Sequence, residues 1–244
     1  VAAQEEIDVA IQPHDLSRRS SRLVVLDVDS TLIRNEVIDL LGAEAGHRDA
    51  VAYLTERAML GEIDYVDALK ERVALLKGAK EDIIERAISK MILTAGGRTF
   101  IRTLKRLGYK VAIISGGFAP FTDHLARELD LDHAYSNTLQ VVDGVLTGEV
   151  EGEIIDADRK ATLLEDIALR EGIPLEQTVA IGDGANDLPM LKKAGLGIAF
   201  NAKPALREAA DTALNVPYLD AILFMLGVSR EEVEAADALD TNFQ

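Results

Sequence analysis

Residues 24–32 of this chain read VVLDVDSTL, in which an apolar strand runs directly into two aspartates. Asp27 and Asp29 are separated by one residue and are followed by the hydroxyl side chains of Ser30 and Thr31. Side chains two residues apart on a strand point to the same side, and two like charges held together need a proton or a cation. An acidic turn is the alternative for this motif alone. Otherwise the stretch predicts the first strand of a parallel sheet, with a ligand site at its carboxyl end.

Two further apolar strands end in polar groups, and one helix begins with a lysine. Ser115 lies at the end of the strand VAIIS, and Lys160 lies at the start of the amphipathic pattern DRKATLLEDIA. The strand TVAIG leads into GDGAND, which contributes Asp183, Asn186 and Asp187. Each segment alone is compatible with a turn, a solvated helix face or an acidic loop. Because ligands bind where the strands of a parallel sheet end, the segments together predict one site that gathers carboxylates, a hydroxyl and an ammonium.

The composition limits the classes of partner. The chain has 244 residues, of which 48% are hydrophobic, enough for a sizeable core, and its formal net charge is −16. Such a charge argues against nucleic acid or an anionic membrane surface as a partner. With no cysteine, the chain has no disulfide, no thiolate zinc site and no thiol nucleophile. We find no signal peptide and no apolar run near the length of a membrane span, and we therefore expect a soluble, cytoplasmic protein.

The order of helical and strand patterns predicts an α/β fold with an insertion. Four helical patterns follow one another in residues 34–92, whereas strands and helices alternate through residues 93–228. Alternation of this kind predicts a doubly wound, mostly parallel sheet with right-handed crossovers. We therefore predict a core formed by residues 23–33 and 93–228, with residues 34–92 as an inserted helical-bundle cap.

The remaining segments are shorter. Residues 138–150 alternate around Asp143-Gly144, which predicts a small β-hairpin. Residues 1–22 are typical of a leader or linker, with a terminal strand at IDVAIQ and a basic, serine-rich stretch at LSRRSSR. The chain begins with Val, which fits a piece of a longer protein and equally a processed or trimmed one. Residues 229–244 form an acidic tail that we expect to be frayed.

One residue departs from the pattern of the predicted cap. The helical spacing places on one face Tyr65, Leu69, Arg72 and Leu76. Arg72 therefore lies within an apolar stripe and needs an anion, either a structural carboxylate or a bound ligand. On periodicity alone the structural carboxylate is favoured. Glu36, just after the first strand, is on its own an ordinary acidic residue at a helix start.

These motifs resemble those of the haloacid dehalogenase-like phosphatases and, among them, of the phosphoserine phosphatases, over roughly residues 20–228. The motifs of the core are DVDSTL at 27–32, SGG at 115–117, Lys160 and GDGAND at 182–187. Those of the cap are NEVID at 35–39, AMLGEIDY at 58–65 and LKERVALLKG at 69–78. The leader is similar to the junction that follows an N-terminal regulatory ACT domain in longer members of this family.

The resemblance implies a Mg²⁺-dependent phosphatase that hydrolyses L-phosphoserine to L-serine and phosphate, the last step of serine biosynthesis, through an aspartyl-phosphate. It implies that Asp27 is the nucleophile and that Asp29 is first the general acid and then the general base. The metal would be bound by Asp27, Asp183 and the main-chain carbonyl of Asp29, with Asp187 and Thr31 in supporting roles. Replacement of Mg²⁺ by Mn²⁺ stays open.

The resemblance also implies a substrate pocket. The groups that hold the phosphoryl group would be Ser115, Gly116 and Lys160, with Asn186 near them. In the cap, Glu36 would bind the substrate ammonium and Arg72 its carboxylate. These two charges complement the phosphoserine zwitterion if the cap closes over the strand ends, and Arg72 then needs no structural partner.

The chain departs from the family pattern at a few positions. Tyr65 stands where Phe is expected, adds a hydroxyl to the pocket wall and has a supporting role there. Ala95 and Gly97 replace a more usual Pro and Ala, which we expect to loosen the hinge of the cap. Leu60 stands where a polar residue is common. None of these changes removes a catalytic group.

Other functions remain compatible with the sequence. A related phosphatase could act on another small phosphate ester or pass the phosphoryl group to an alcohol. A signalling module that is phosphorylated on aspartate would use the same edge of the sheet, although the helical cap and Asp29 argue against it. A structural metal-binding protein would need neither Lys160 nor Ser115. The sequence leaves the oligomeric state open, a homodimer included.

Overall fold

A computed structural model of the chain describes Asp8, residues 22–59 and residues 62–238. Its strands are β1 (Leu23–Leu26), β2 (Lys110–Phe118), β3 (His133–Val142), β4 (Val145–Glu151), β5 (Thr178–Gly182), β6 (Leu196–Phe200) and β7 (Thr212–Leu214). Its helices are α1 (Val37–Glu44), α2 (Arg48–Met59), α3 (Tyr65–Ala74), α4 (Asp82–Ile88), α5 (Gly97–Arg106), α6 (Ala119–Leu129), α7 (Ala157–Glu171), α8 (Leu188–Lys193), α9 (Pro204–Ala209), α10 (Ile222–Met225) and α11 (Arg230–Ala238).

The strands of the described residues form one sheet in the order β4-β3-β2-β1-β5-β6-β7. Every neighbouring pair is parallel except β3 and β4. β1 is buried on both faces: Val24 and Leu26 pack in one hydrophobic cluster, and Leu23 and Val25 pack in the other. Burial on both faces explains why this strand is apolar without alternation. The predicted doubly wound, mostly parallel sheet is confirmed, and the carboxyl ends of β2, β1 and β5 lie side by side.

Four helices, α1 to α4, lie between β1 and α5, where the sequence predicts four helical segments. The chain leaves and re-enters the region of the sheet through two stretches that pair with each other. Arg34 N donates to Ile92 O at 2.8 Å, and Thr94 N donates to Leu32 O at 2.9 Å. The division into a core and a separate cap, and the looser hinge expected between them, stay predictions.

The predicted hairpin is confirmed, because β3 and β4 pair antiparallel around Asp143 (φ 52°) and Gly144 (φ 74°). Positive φ at both central residues is the geometry of the favoured two-residue hairpin turn. β3 begins at His133, before the predicted segment, because it also pairs in parallel with β2 and extends the sheet. The segment after α3 reaches this edge too, since Gly78 N donates to Leu146 O at 2.9 Å.

The expectation of a frayed acidic tail is wrong for residues 230–238, which form α11. Ser229 and Glu232 cap this helix reciprocally, with Ser229 N donating to Glu232 Oε2 at 2.7 Å and Glu232 N donating to Ser229 Oγ at 3.2 Å. The helix packs against α5 and places Val233 on the core.

Most of the predicted leader, with its strand at IDVAIQ, and Leu60 lie outside the described residues. Of the helices described, none combines the length and the apolar character needed to cross a lipid bilayer.

Candidate active site

The turn after β1 orients the first two carboxylates of the site. The backbone of Asp27 is extended, and its N–H donates to Ile181 O of β5 at 2.9 Å, which continues the parallel ladder. Ser30 has φ 57°, a left-handed conformation that is uncommon for a residue other than glycine. After this reversal, Thr31 Oγ1 donates to Asp183 Oδ1 at 3.1 Å, across 152 positions of sequence. Side chains as well as backbone therefore join the ends of β1 and β5.

Lys160 reaches the same place from α7. The Asp156 side chain caps that helix by accepting from Arg159 N at 2.8 Å, and Lys160, in the first turn, is only 1% exposed. Its Nζ donates to Asp27 Oδ1 at 2.6 Å and to Asp187 Oδ1 at 2.7 Å. Burial acts to lower the pKa of Lys160, but Asp187 and Asp27 outweigh it and raise that pKa. The buried amine therefore stays charged.

Three carboxylates lie together here, and two of them, Asp27 and Asp187, contact the ammonium. Oxygen atoms of Asp27, Asp183 and Asp187 lie within 4.8 Å of one another. Burial, and then the charge of Asp187, raises the pKa of Asp27 well above its usual range, and the same two causes raise the pKa of Asp183 to about 7. One ammonium leaves excess negative charge on three carboxylates, and oxygen ligands of this kind fit a divalent cation such as Mg²⁺. Asp187, expected only in a supporting role, lies within the same distance as the expected ligands.

Asp29 accepts two hydrogen bonds, from Val37 N to Oδ1 at 2.6 Å and from Ser115 Oγ to Oδ2 at 3.0 Å. Ser115 Oγ in turn accepts from Gly117 N at 2.7 Å. Burial, and then the charge of Glu36, raises the pKa of Asp29 to about 7, although both hydrogen bonds act to lower it. Near neutral pH this carboxyl group can therefore both release and take up a proton. Glu36 through its charge and Ser115 through its hydrogen bond therefore both affect the pKa of Asp29.

Arg72 is buried on α3, and its hydrogen-bond partners are neutral. Its Nε donates to Ala68 O at 3.1 Å, and its Nη1 donates to Thr55 Oγ1 at 3.3 Å. Among the described residues, no carboxylate oxygen lies within 4.0 Å of the guanidinium. The expectation of a structural carboxylate partner is therefore wrong, because the surrounding helices offer a carbonyl and a hydroxyl instead. The carboxylate of Asp39 lies near enough for Arg72 to act to lower its pKa, but without a direct ion pair to a described residue the guanidinium can still bind an anion.

Two other expected site residues lie beside glycines. Tyr65 begins α3, and its hydroxyl lies so close to Gly116 that a Cβ added there would collide with it. Burial raises the pKa of Tyr65 to about 12. Asn186 lies on the turn Ala185–Asp187, with its Oδ1 against Gly184. The contact expected between Asn186 and a phosphoryl group stays a prediction.

Two further residues support the site without having been expected there from the sequence. Asn137 in β3 donates from Nδ2 to Gly116 O at 2.8 Å and accepts from Ile155 N at 2.8 Å. Thr94 Oγ1 donates to Thr31 O at 2.7 Å. Asn is depleted in strands, so an Asn inside the strand HAYSNTLQVV is a signal that could have revealed the first. Thr94 carries no such signal, because its partner lies 63 positions away.

The chain is similar to known proteins both in sequence and in structure. A sequence model of the haloacid dehalogenase-like hydrolase family matches residues 24–192. The chain is 57% identical to the phosphoserine phosphatase of Streptomyces coelicolor over 98% of this chain, but it spans only 58% of that protein's length. It is 48% identical to the phosphoserine phosphatase of Streptococcus thermophilus, over 84% of this chain and 95% of that protein. A solved structure, a phospho-aspartyl intermediate analogue of phosphoserine phosphatase, has a TM-score of 0.81 at 45% identity, over 86% of this chain and all of the other.

Proposed function

We propose a function for this chain on the basis of its family, because the matches show that it belongs to the haloacid dehalogenase-like hydrolase family. The function is that of a Mg²⁺-dependent phosphoserine phosphatase, which hydrolyses L-phosphoserine to L-serine and phosphate. The observation that carries the proposal is the contact of one buried ammonium, Lys160, with Asp27 and Asp187 where β1 and β5 end. The names of the relatives support phosphoserine as the substrate.

Asp27 is the proposed nucleophile. Its carboxylate attacks the phosphorus in line and forms an aspartyl-phosphate, while the bond to the serine oxygen breaks. A phosphate monoester is itself negatively charged and repels a carboxylate, so cations and donors must lie beside it. Lys160 contributes a positive charge, and the Ser115 hydroxyl and Gly116 N–H contribute hydrogen-bond donors for the phosphoryl oxygens.

Asp29 is the proposed acid and base. The departing serine oxygen is a strong base and needs a proton, which Asp29 can donate because burial raises the pKa of its carboxyl group to about 7. The same carboxylate then takes a proton from the water that hydrolyses the aspartyl-phosphate. Proton transfer of this kind contributes about 10²- to 10⁴-fold in rate.

The carboxylates of the site would hold Mg²⁺. The proposed ligands are Asp27, Asp183 and the main-chain carbonyl of Asp29, with Asp187 and Thr31 in support. Thr31 fits that role because its hydroxyl donates to Asp183 at 3.1 Å and leaves the other carboxylate oxygen for a cation. When bound, Mg²⁺ would neutralise charge between the attacking carboxylate and the ester. Mn²⁺ uses similar ligands, so the choice of metal is part of the test.

Recognition of the amino-acid part is assigned to the cap. Glu36 lies next to the aspartates, with its Oε1 accepting from Ser30 Oγ at 2.6 Å, and would bind the substrate ammonium. Arg72 would bind the substrate carboxylate, which supplies the anion that the described residues around its guanidinium do not. Residues 34–92 would then act as a cap that closes over the core and excludes water, and its opening could set the rate.

Phosphate release from L-phosphoserine, with and without Mg²⁺ or Mn²⁺, tests the proposal against phosphothreonine and a sugar phosphate. We expect metal-dependent release that is fastest with L-phosphoserine. Faster release from another ester, or transfer of the phosphoryl group to an added alcohol, would favour a different phosphatase or a phosphotransferase. Phosphorylated protein that persists for hours without phosphate release would favour the signalling function instead. A cytoplasmic location and a homodimer stay predictions.

A further inference from the structure

Tyr65 brings a hydroxyl group to the phosphoryl end of the site. Its Oη lies beside Gly116, in the space that a Cβ would need at that residue. Gly116 directly follows Ser115, whose hydroxyl donates to Asp29 at 3.0 Å. The phenol of α3 therefore meets the end of β2 at the point where phosphoryl oxygens are expected to lie.

The described residues supply no hydrogen-bond partner for this hydroxyl. Among the residues that the structure describes, none makes a hydrogen bond with Tyr65 Oη. Tyr65 is only partly buried, so its O–H remains available to a ligand as a hydrogen-bond donor. Burial also raises the pKa of Tyr65 to about 12, so the group remains an O–H donor throughout the physiological pH range. A donor in this position can bind an acceptor that the described part of the chain does not provide.

The charged groups with the strongest influence on the phenol belong to the phosphoryl end of the site. After burial, the strongest influence on the pKa of Tyr65 comes from Lys160, and the next comes from Asp27. Both residues lie at the phosphoryl end of the site. Arg72, proposed to bind the carboxylate of the amino acid, has a smaller influence. Because Tyr65 Oη lies beside Gly116, a phosphoryl oxygen held by the backbone N–H of Gly116 would lie within reach of the hydroxyl.

We propose that the Tyr65 hydroxyl donates a hydrogen bond to the phosphoryl group of the bound ester. The inference rests on the proposed phosphatase function and adds a substrate-contacting residue to it. The family resemblance leads to the expectation of Phe here, which has no donor, so the contact belongs to this chain rather than to the family pattern. It supplements Ser115 and Lys160 as charge develops on the phosphoryl oxygens, and it serves any phosphate monoester.

Tyr65→Phe removes only the hydroxyl and tests this contact. Parent and variant are compared on L-phosphoserine and on p-nitrophenyl phosphate, which shares only the phosphoryl group, and by calorimetric titration with inorganic phosphate in the presence of Mg²⁺. We expect kcat/KM to fall about 10- to 100-fold on both esters, the range for a hydrogen bond to a charged group, and phosphate to bind more weakly. Tyr109→Phe is the matched control. Tyr109 is also partly buried, but it lies just before β2 begins, at the amino ends of the strands and away from the site. It should leave all three measurements unchanged.

Equal values for Tyr65→Phe and the parent in all three measurements would overturn the inference. A loss confined to L-phosphoserine, with phosphate binding unchanged, would also overturn it, because the hydroxyl would then serve the amino-acid end. Failure of the proposed substrate gives a different result: the parent would not hydrolyse L-phosphoserine, yet the variant would still bind phosphate more weakly and lose rate on the aryl ester. In that case the contact of Tyr65 stands and only the substrate is wrong.

Discussion

Lys160 Nζ lies 2.6 Å from Asp27 Oδ1, a contact between two buried residues that are 133 positions apart in the sequence. Asp187 shares the same ammonium at 2.7 Å. Removing ions from water is costly, and a buried pair regains that cost only when its geometry and hydrogen bonds are good. The fold therefore holds a carboxylate, an ammonium and further acidic groups together at the carboxyl ends of the strands, which costs some stability. Such a cost is expected where the charges bind a ligand.

Lys160→Met keeps most of the side-chain volume and removes the ammonium. We expect the free energy of unfolding of the metal-free protein to fall by about 3–5 kcal/mol, because buried carboxylates lose their partner, and we expect phosphatase activity to be lost. Chemical denaturation near neutral pH measures the first and phosphate release the second. Lys193→Met is the control, because Lys193 forms an exposed pair with Glu165 at 2.8 Å and its loss should cost at most about 1 kcal/mol. Equal stability of Lys160→Met and the parent would contradict the ionic role.

Asp27→Asn and Asp29→Asn separate the two proposed roles of the aspartates. We expect Asp27→Asn to abolish turnover, because the amide cannot form an aspartyl-phosphate. We expect Asp29→Asn to slow both the formation and the hydrolysis of that intermediate, by about 10²- to 10⁴-fold, because proton transfer is lost. Rapid quenching with labelled L-phosphoserine measures the phosphorylated protein. A burst of phosphorylated protein from Asp27→Asn would refute the assignment of the nucleophile.

The metal-free protein should lose stability as the pH rises from about 4 to about 8. Burial raises the pKa of Asp29 and of Asp183 to about 7 in the folded protein, from a usual 3.8. The folded state thus retains protons that the unfolded state has released, so this stability is fully present below the usual pKa and is lost as the pH passes through the raised one. Thermal denaturation in the presence of a chelator measures the trend.

Two variations of that experiment identify the groups responsible. Mg²⁺ binds the ionised carboxylates, so its addition should reduce the loss of stability at high pH. Asp183→Asn removes one of the titrating groups and should give a flatter dependence of the melting temperature on pH. A melting temperature of the metal-free parent that rises across this interval would show that other groups dominate its stability.

The location of the site at the carboxyl ends of the strands could be predicted because its sequence signals are local. Ser115 and Asp183 each follow an apolar run that stops at a polar residue, and parallel strand ends lie at one edge in any doubly wound sheet. The acidic composition of the tail predicts a solvated segment, whereas the reciprocal capping pair Ser229 and Glu232 favours a helix. Because the capping pattern is local, it is visible in the sequence and predicts the start of α11.

The surroundings of Arg72 could not be predicted in the same way. Helical spacing identifies an arginine on an apolar face, but it does not specify which segments lie opposite that face. The neighbours turn out to be Thr55, from another helix, and the carbonyl of Ala68, from the same one. The positions of Thr94 and Asn137 are equally non-local, since each bonds a backbone atom that only the folded chain brings near.

Gly148 in β4 should be intolerant of substitution. Its φ is +83°, and an added Cβ would lie 2.9 Å from Lys77 Cβ and 3.2 Å from Ala74 O, at the contact between α3 and the hairpin. Gly144 has φ 74° but no atom within 4 Å of an added Cβ. Gly144→Ala should therefore cost only the left-handed penalty of about 1–2 kcal/mol, and Gly148→Ala should cost more. Chemical denaturation compares them, and equal losses would argue against close packing of α3 on the hairpin.

Arg72→Ala should alter substrate preference more than it alters catalysis. If Arg72 binds the substrate carboxylate, kcat/KM for L-phosphoserine should fall about 10- to 100-fold, the range for a hydrogen bond to a charged group. The value for phosphoethanolamine, which keeps the ammonium but lacks the carboxylate, should change far less. Arg86→Ala is the matched control from the same group of helices, because Arg86 is half exposed and pairs with Glu44 and Asp82, each at 2.8 Å. It should leave both substrates unaffected, and equal losses on both substrates with Arg72→Ala would mean that Arg72 supports the fold instead of the specificity.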